Sequence, residues 1–162
     1  MKKTIFIPLL LILFFKCFTI HADAFLVTIA ITEGEKSKDS WSSNTSISIS
    51  GNTIAYSKSY SGSRKHRNGN MDKTCTLTNE QVTAIQELIK KGNLLVSDSI
   101  EDEDSKYKSF ERFVNIAADI IMEEKVSKIR INGDIKPMED KALYQNCYAV
   151  INLIEDYVAK CG

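Results

Sequence analysis

The sequence feature that most constrains the fold is an alternation of serine and isoleucine, "SISIS", followed by Gly51-Asn52. Apolar and polar residues that alternate along a segment predict a strand with one buried side and one solvent-facing side. Gly51-Asn52 suits the positive φ angles of a two-residue hairpin turn. This turn predicts three cross-strand pairs: Ser50 with Thr53, Ile49 with Ile54, and Ile47 with Tyr56.

The register of this hairpin predicts which side chains share a face. Ser46, Ser48 and Ser50 point away from the isoleucines, so one face of the sheet should carry hydroxyl groups and meet water. Trp41 has the same parity as Ile47 and is expected to extend the apolar face. The flanking segments "EGEKSKDS" and "SGSRKHRNGNMDK" are polar and are interpreted as loops.

A helix is predicted directly after Leu77. Thr78 is a suitable N-cap, and Gln81 stands three residues later, where it completes a capping box. The apolar residues that follow recur at helical spacing on one face: Val82, Ile85, Leu88 and Ile89. Gly92 suits the C-terminal end of this helix.

The segment from Phe110 to Met122 fits two structures. Its apolar residues match a helical face and an alternating strand equally well, so periodicity alone does not decide. The β-like run that follows, from Val126 to Ile131, favours a hairpin with its turn at Glu123-Glu124. This turn would place Asp119 opposite Lys128. The alternative is a helix followed by a strand.

The remaining segments complete the predicted fold class. Phe25–Thr32 is short, apolar and β-branched, which predicts a first strand. The acidic stretch 97–108 is interpreted as a loop, and a second helix is expected from about Met138 to Lys160, shortly after Pro137. The order β-ββ-α-ββ-α predicts an α+β domain, in which two helices cover one face of an antiparallel sheet of about four to five strands.

The N-terminus resembles a secretory signal peptide. Lys2 and Lys3 precede an uncharged apolar run of 11 residues, and Ala22 and Ala24 follow with the small-x-small spacing of a cleavage site. The apolar run is shorter than the roughly 20 residues of a membrane-spanning helix. We expect residues 1–24 to be removed and residues 25–162 to form one domain.

The sequence argues against lipid attachment at Cys17, because bulky residues and a lysine precede it where a lipoprotein signal has small residues. Cleavage after Ala24 would remove three lysines and one aspartate, which leaves 18 basic and 20 acidic side chains and a net charge of −2. A charge this close to zero provides no general attraction to nucleic acid or to an acidic membrane.

Three cysteines would remain after cleavage: Cys75, Cys147 and Cys161. An exported protein meets an oxidising environment, so one disulfide is expected. Cys147 and Cys161 are 14 residues apart, on or just after one predicted helix, a separation of roughly 21 Å at 1.5 Å per residue. Because a disulfide needs Cα atoms within about 7 Å, Cys75 must be one partner. Cys161 is favoured as the other, since Cys147 lies on the apolar face of the helix.

Residues with catalytic or metal-binding potential are sparse. The expected mature chain has a single histidine, His66, and no C-x-x-C pair, so neither a zinc site nor another cofactor site is predicted. A run of basic residues, Arg64, Lys65, His66 and Arg67, could bind an anionic surface. No aromatic residues interrupt this run, as they would in a surface that stacks nucleotide bases.

These observations favour a small exported bacterial protein that is not an enzyme. The preferred hypothesis is a protein-binding module of the inhibitor or immunity type, in the periplasm or outside the cell, whose partner is another exported protein. An exported enzyme with an unrecognised site and a structural domain of the cell envelope are the alternatives. No nucleic acid partner is expected, and no membrane insertion after cleavage.

Overall fold

A computed structural model describes residues 24–36, 40–62, 70–101 and 112–161. These residues form one seven-stranded sheet. The strands are β1 (Leu26–Glu35), β2 (Trp41–Ser50), β3 (Thr53–Gly62), β4 (Met71–Thr76), β5 (Asp98–Glu101), β6 (Arg112–Met122) and β7 (Lys125–Asp134). The helices are α1 (Asn79–Lys91), α2 (Ile135–Met138) and α3 (Ala142–Lys160).

The strand order in the sheet is β4-β3-β2-β1-β6-β7-β5, so β1 is the central strand. All neighbouring strands are antiparallel except β5, which lies parallel to β7 at one edge. The first described strand, β1, therefore pairs with β2 on one side and with β6, far along the chain, on the other.

Both predicted hairpins are confirmed, with their registers. In the first hairpin the three expected pairs form around Gly51-Asn52. In the second, the segment that suited either helix or strand is β6, and the turn at Glu123-Glu124 places Asp119 opposite Lys128. Glu123 and Glu124 both have positive φ angles, at 52° and 62°, as a two-residue turn of this kind requires.

The predicted capping box of α1 is also confirmed. The Thr78 hydroxyl accepts a hydrogen bond from the Gln81 backbone, and the Gln81 side chain accepts one from the Thr78 N–H at 2.9 Å. Gly92 ends the helix, and its N–H donates to Leu88 O. Two otherwise unpaired donors at the first turn are thereby satisfied within the helix itself.

The predicted start of the second helix was wrong. Instead of one helix from Met138, the chain forms the short α2 and then the long α3. Asp134 caps α2 through a hydrogen bond from the Lys136 N–H, and the Lys141 N–H donates to Met138 O in the turn that follows. Pro137 lies inside α2, where the first turn of a helix needs no N–H donor.

The α+β class is confirmed, but the number of strands was underestimated. The predicted polar loops contain β4 and β5, and β1 continues to Glu35 instead of ending at Thr32. Both missed strands lie at the edges of the sheet. Edge strands are often short and polar, which limits their pairing with other chains, and such segments lack the alternation that marks a half-buried strand.

The sheet has two faces of opposite character. We call the face that contacts the helices the inner face. It carries buried isoleucines such as Ile29, Ile49 and Ile116, which pack with residues of α1 and α3 in a single core. We call the opposite side the outer face. Side chains alternate along each strand between these faces, and most outward residues are exposed. No described helix covers the outer face.

The structure contains the predicted disulfide between Cys75 on β4 and Cys161 at the end of α3, with Cα atoms 6.2 Å apart. Lys73, on the same side of β4, donates hydrogen bonds to Val158 O and Cys161 O at 3.2 and 2.8 Å. One edge of the sheet is therefore fastened to the last turn of α3. Cys147 is a free thiol in the core, as predicted.

Residues 1–23, which include Cys17 and nearly all of the predicted signal peptide, lie outside the described residues. Cleavage after Ala24 and the domain boundary at residue 25 therefore remain predictions. Among the residues that the structure describes, no helix is long and apolar enough to cross a membrane.

Candidate functional site

The predicted basic binding residues, Arg64, Lys65, His66 and Arg67, lie outside the described residues. The chain positions on either side of them are described. Gly62 ends β3, and Asn70 immediately precedes β4. A hydrogen bond of 2.9 Å from the Tyr60 N–H to the Asn70 side chain joins the two strands at this point.

The strands place three chain connections at one end of the sheet, which we call the loop end. The pairs Glu35–Trp41, Trp41–Gly62 and Glu35–Arg112 put the adjoining ends of β1, β2, β3 and β6 side by side. β5 runs parallel to β7, so Glu101 also reaches this end. The segments 36–40, 63–70 and 102–111 therefore all begin and end here.

Aromatic side chains are concentrated at the loop end. Trp41, Tyr60 and Phe113 are each only partly buried, although all three belong to strands. The ammonium group of Lys58 lies 5.7 Å from the Tyr60 ring centroid, and that of Lys36 lies 5.8 Å from the Phe113 ring centroid. Both distances fall within the range of cation–π attraction, which orients these rings at the surface.

Two glycines make this arrangement of rings possible. A Cβ at Gly34 would lie 2.5 Å from Trp41 O and 2.8 Å from the Phe113 ring, so only glycine allows Phe113 to lie across β1. Gly62 has a φ of 117° and packs closely against the backbone of Ser40 and Trp41. A side chain at either position would displace the aromatic residues beside it.

A network of hydrogen bonds on the inner face joins β1, β2 and α3 near the loop end. Glu33 accepts hydrogen bonds from the Ser43 hydroxyl at 3.2 Å and from the Tyr148 hydroxyl at 3.0 Å. The Tyr148 ring in turn contacts Tyr144, with ring centroids 4.5 Å apart. These contacts hold the first half of α3 against β1 and β2 on the inner side of the sheet, where Trp41 and Tyr60 also lie. Phe113 lies beside Gly34 on the outer side.

A second pair of contacts extends this network towards the middle of α3. Glu155 accepts hydrogen bonds from the Tyr56 hydroxyl at 2.7 Å and from the Lys58 ammonium group at 3.2 Å. Burial lowers the pKa of Lys58, but attraction to Glu155 outweighs this effect and leaves the pKa above its ordinary value. Lys58 therefore stays charged at neutral pH.

The tyrosines of this network remain neutral. Burial, reinforced by Glu33, raises the pKa of Tyr148 far above its ordinary value, and burial together with Glu155 does the same for Tyr56. A tyrosine with a raised pKa donates a hydrogen bond and is a poor general base. The two tyrosines therefore suit a structural role, in which their hydrogen bonds position α3 against the sheet.

The outer face carries a shallow hollow of about 310 Å³ over β2, β3 and β4. Its lining is mostly hydroxyl groups and small side chains, with one carboxylate: Ser46, Ser48, Ala55, Ser57, Asp72 and Thr74. Lys73 and Tyr56 border the hollow, but their side chains bind groups of α3 on the inner side. Within the described ranges, no three His, Cys, Asp or Glu residues are grouped as metal ligands would be.

The chain matches no protein-family model and no curated protein sequence. The functional argument therefore rests on the geometry of the described residues. The predicted side of Trp41 is confirmed, because Trp41 shares the parity of Ile47 and lies on the inner side of β2. Phe113 lies on the outer side beside Gly34, and periodicity did not place it because its segment fitted a helix equally well. The positions of both residues at the very ends of strands, next to polar loops, were the available signal.

Proposed function

We propose that this protein is a small exported, non-catalytic protein-binding module of the inhibitor or immunity type, which binds its partner through the loop end. The observation that carries this proposal is the presence of partly exposed Trp41 and Tyr60 on the inner side of the loop end, and of Phe113 on its outer side, beside three inter-strand connections. Tryptophan and tyrosine dominate the binding energy of many protein interfaces. Connections mounted on a rigid sheet are common positions for recognition residues.

The basic residues Arg64, Lys65, His66 and Arg67 belong to the connection between β3 and β4, which starts and ends at the loop end. In the proposed complex the aromatic residues supply the central contact, and the basic residues attract an acidic partner. Charges at the rim of an interface act mainly on the association rate and its salt dependence.

Two observations support export. The N-terminal segment has the pattern of a secretory signal peptide, and the Cys75–Cys161 disulfide suits an oxidising compartment such as the periplasm or the extracellular medium. The proposed partner is therefore another exported protein.

The experiment is a capture of the purified protein's partner from the culture that produces it, followed by mass spectrometry and a binding measurement. The expected result is one stoichiometric partner. Tyr60→Ala should weaken its binding at least tenfold, as expected of a central aromatic contact. Tyr157→Ala is the matched control, because Tyr157 is also a partly buried tyrosine but lies near the far end of α3.

A triple variant, Arg64→Ala, Lys65→Ala and Arg67→Ala, tests the contribution of charge. It should slow association and reduce its dependence on salt, with a smaller effect on dissociation. Failure to recover any stoichiometric partner, or equal weakening by Tyr60→Ala and Tyr157→Ala, would contradict the proposal.

A further inference from the structure

The outer face divides at the central strand β1 into two halves of different relief. All ten outward positions of β2 and β3 hold serine, threonine, alanine or asparagine. Such short side chains leave the backbone near the surface, and the hollow of about 310 Å³ lies in this half. We call it the small-residue half; it comprises the outward residues of β2, β3 and β4.

On the other side of β1, the outward residues of β6 and β7 are larger, and we call them the raised half. Ile121 and Val126 pair across the two strands, and Leu26 of β1 pairs with Ile121. Leu26 and Val126 are 38% and 61% exposed. Two residues further along, Asp119 lies opposite the exposed Lys128, and Arg130 forms an ion pair with Asp119 at 2.8 Å.

We propose that the outer face binds the outer face of a second copy of this chain, around a two-fold axis parallel to β1. This axis places the small-residue half of each copy over the raised half of the other. The larger side chains of one copy then enter the hollow of its partner. An isologous contact of this kind buries the same surface twice and closes after two subunits.

The size of the face agrees with this arrangement. The five longest strands are adjacent and have 10 or 11 residues each. With about 4.8 Å between strands and about 3.3 Å per residue, they cover roughly 800 Å². A standard interface buries about 800 Å² on each partner. Face-to-face packing of two sheets is a common arrangement in proteins.

One pair of opposite charges fits this orientation. Asp72 is the charged residue among the described outward positions of β2, β3 and β4. The outward residues of β6 and β7 are neutral in sum, because Lys128 and Arg130 are balanced by Asp119 and Asp134, and Arg130 forms an ion pair with Asp119. In the proposed dimer the carboxylate of Asp72 in one copy approaches Lys128 of the second copy. Two such contacts related by the two-fold axis would favour this orientation over the reverse one.

The test is analytical ultracentrifugation of the protein purified after expression of the full chain, with intact-mass analysis of its N-terminus. A dimer is expected whose population rises with concentration. Ala30→Arg places a long cation at the centre of the face and should weaken association at least tenfold. Ala149→Arg is the matched control, because Ala149 is an exposed alanine on α3, and it should leave association unchanged.

A charge exchange tests the orientation of the two copies. Asp72→Lys and Lys128→Glu should each weaken the dimer, and the double variant should recover most of the loss. The urea midpoint of each variant, measured at a concentration where the protein is monomeric, establishes that it folds.

Three outcomes would overturn the inference: a monomer at all concentrations, equal effects of Ala30→Arg and Ala149→Arg, or association only when residues 1–24 are retained. The proposed function is tested separately, because Tyr60→Ala acts at the loop end and should leave the mass of the dimer unchanged.

Discussion

The inner and outer faces of the sheet are built from the same strands but have different compositions. Along β2, the inner positions run from Ser43 and Thr45 to Ile47 and Ile49, and all four are buried. The outer positions between them are serines and an asparagine that meet solvent. Because burial of apolar surface provides the main stabilising free energy of folding, the inner face holds the fold together. The outer face is free to be selected for recognition.

The largest expected effect on stability is a difference between two adjacent isoleucines, Ile120 and Ile121, whose side chains lie on opposite faces of the sheet. Ile120 is 2% exposed on the inner face, whereas its neighbour Ile121 points outward and is only partly buried. Ile120→Ala should lower the free energy of unfolding by about 2–5 kcal/mol, through lost burial and the cavity that remains. Ile121→Ala should lower the free energy of unfolding by less than half of that amount. Urea denaturation at a monomeric concentration measures both, and equal losses would break the comparison.

A second large effect is expected at the edge where the inner face is fastened to α3. Cys75→Ala removes the only disulfide among the described residues and should lower the free energy of unfolding by about 2–5 kcal/mol. The control is the wild-type protein with its disulfide reduced, which should lose a similar amount. If the reduced protein unfolds at the same urea concentration as the oxidised one, the disulfide does not support the inner face.

A smaller, pH-dependent effect is expected from titratable groups on the inner face. Burial raises the pKa of Cys147 from 9.0 to about 12. Since this pKa is higher in the folded protein, the contribution to stability is complete below pH 9 and is lost as the pH rises towards 12. At pH 10 the titration of this thiol should lower the free energy of unfolding by about 1 kcal/mol. Urea denaturation at pH 7 and pH 10 measures the loss.

Cys147→Ala serves as the comparison for the pH measurement. This variant should be less stable than the wild type at pH 7 but should lose less on going to pH 10. The tyrosines with raised pKa values, Tyr56 and Tyr148, remain in the variant and continue to destabilise it at high pH in the same direction. An unchanged pH dependence would show that the thiol does not titrate in this range.

The smallest effects should come from two buried serines of the inner face, Ser43 and Ser127, which are 1% and 0% exposed. The Ser43 hydroxyl donates to Glu33, whereas the Ser127 hydroxyl has no hydrogen-bond partner among the described residues. Ser43→Ala should cost about 1 kcal/mol, and Ser127→Ala should be neutral or slightly stabilising. A larger loss from Ser127→Ala than from Ser43→Ala in urea denaturation would contradict this assignment.

Local chemical signals made the two hairpins and α1 predictable. Alternation with a two-residue turn defines a register, because a slip by one residue would move every isoleucine to the wrong face. The capping box around Thr78 is likewise contained within four residues. Such features need no information from the rest of the chain.

The features that were missed depend on contacts between distant residues. β5 is four residues long and becomes a strand by pairing with β7, about thirty residues away. The break between α2 and α3 is the exception, because the Asp134 cap and the turn after Met138 join residues only two or three positions apart. The aromatic residues of the loop end divide in the same way: Trp41 and Tyr60 lie on the predicted β2–β3 hairpin, whereas Phe113 reaches this end only through the pairing of β6 with β1.

The central position of β1 has a consequence for how the chain folds. β2 can pair with β1 as soon as both are synthesised, but the other side of β1 must wait for β6, which begins at Arg112. Contacts between residues so far apart in sequence form slowly, because a long loop must first be closed. During that interval one edge of β1 exposes unpaired backbone groups, where a foreign strand could add. Assembly is therefore expected to be limited by the docking of the β6–β7 hairpin onto β1.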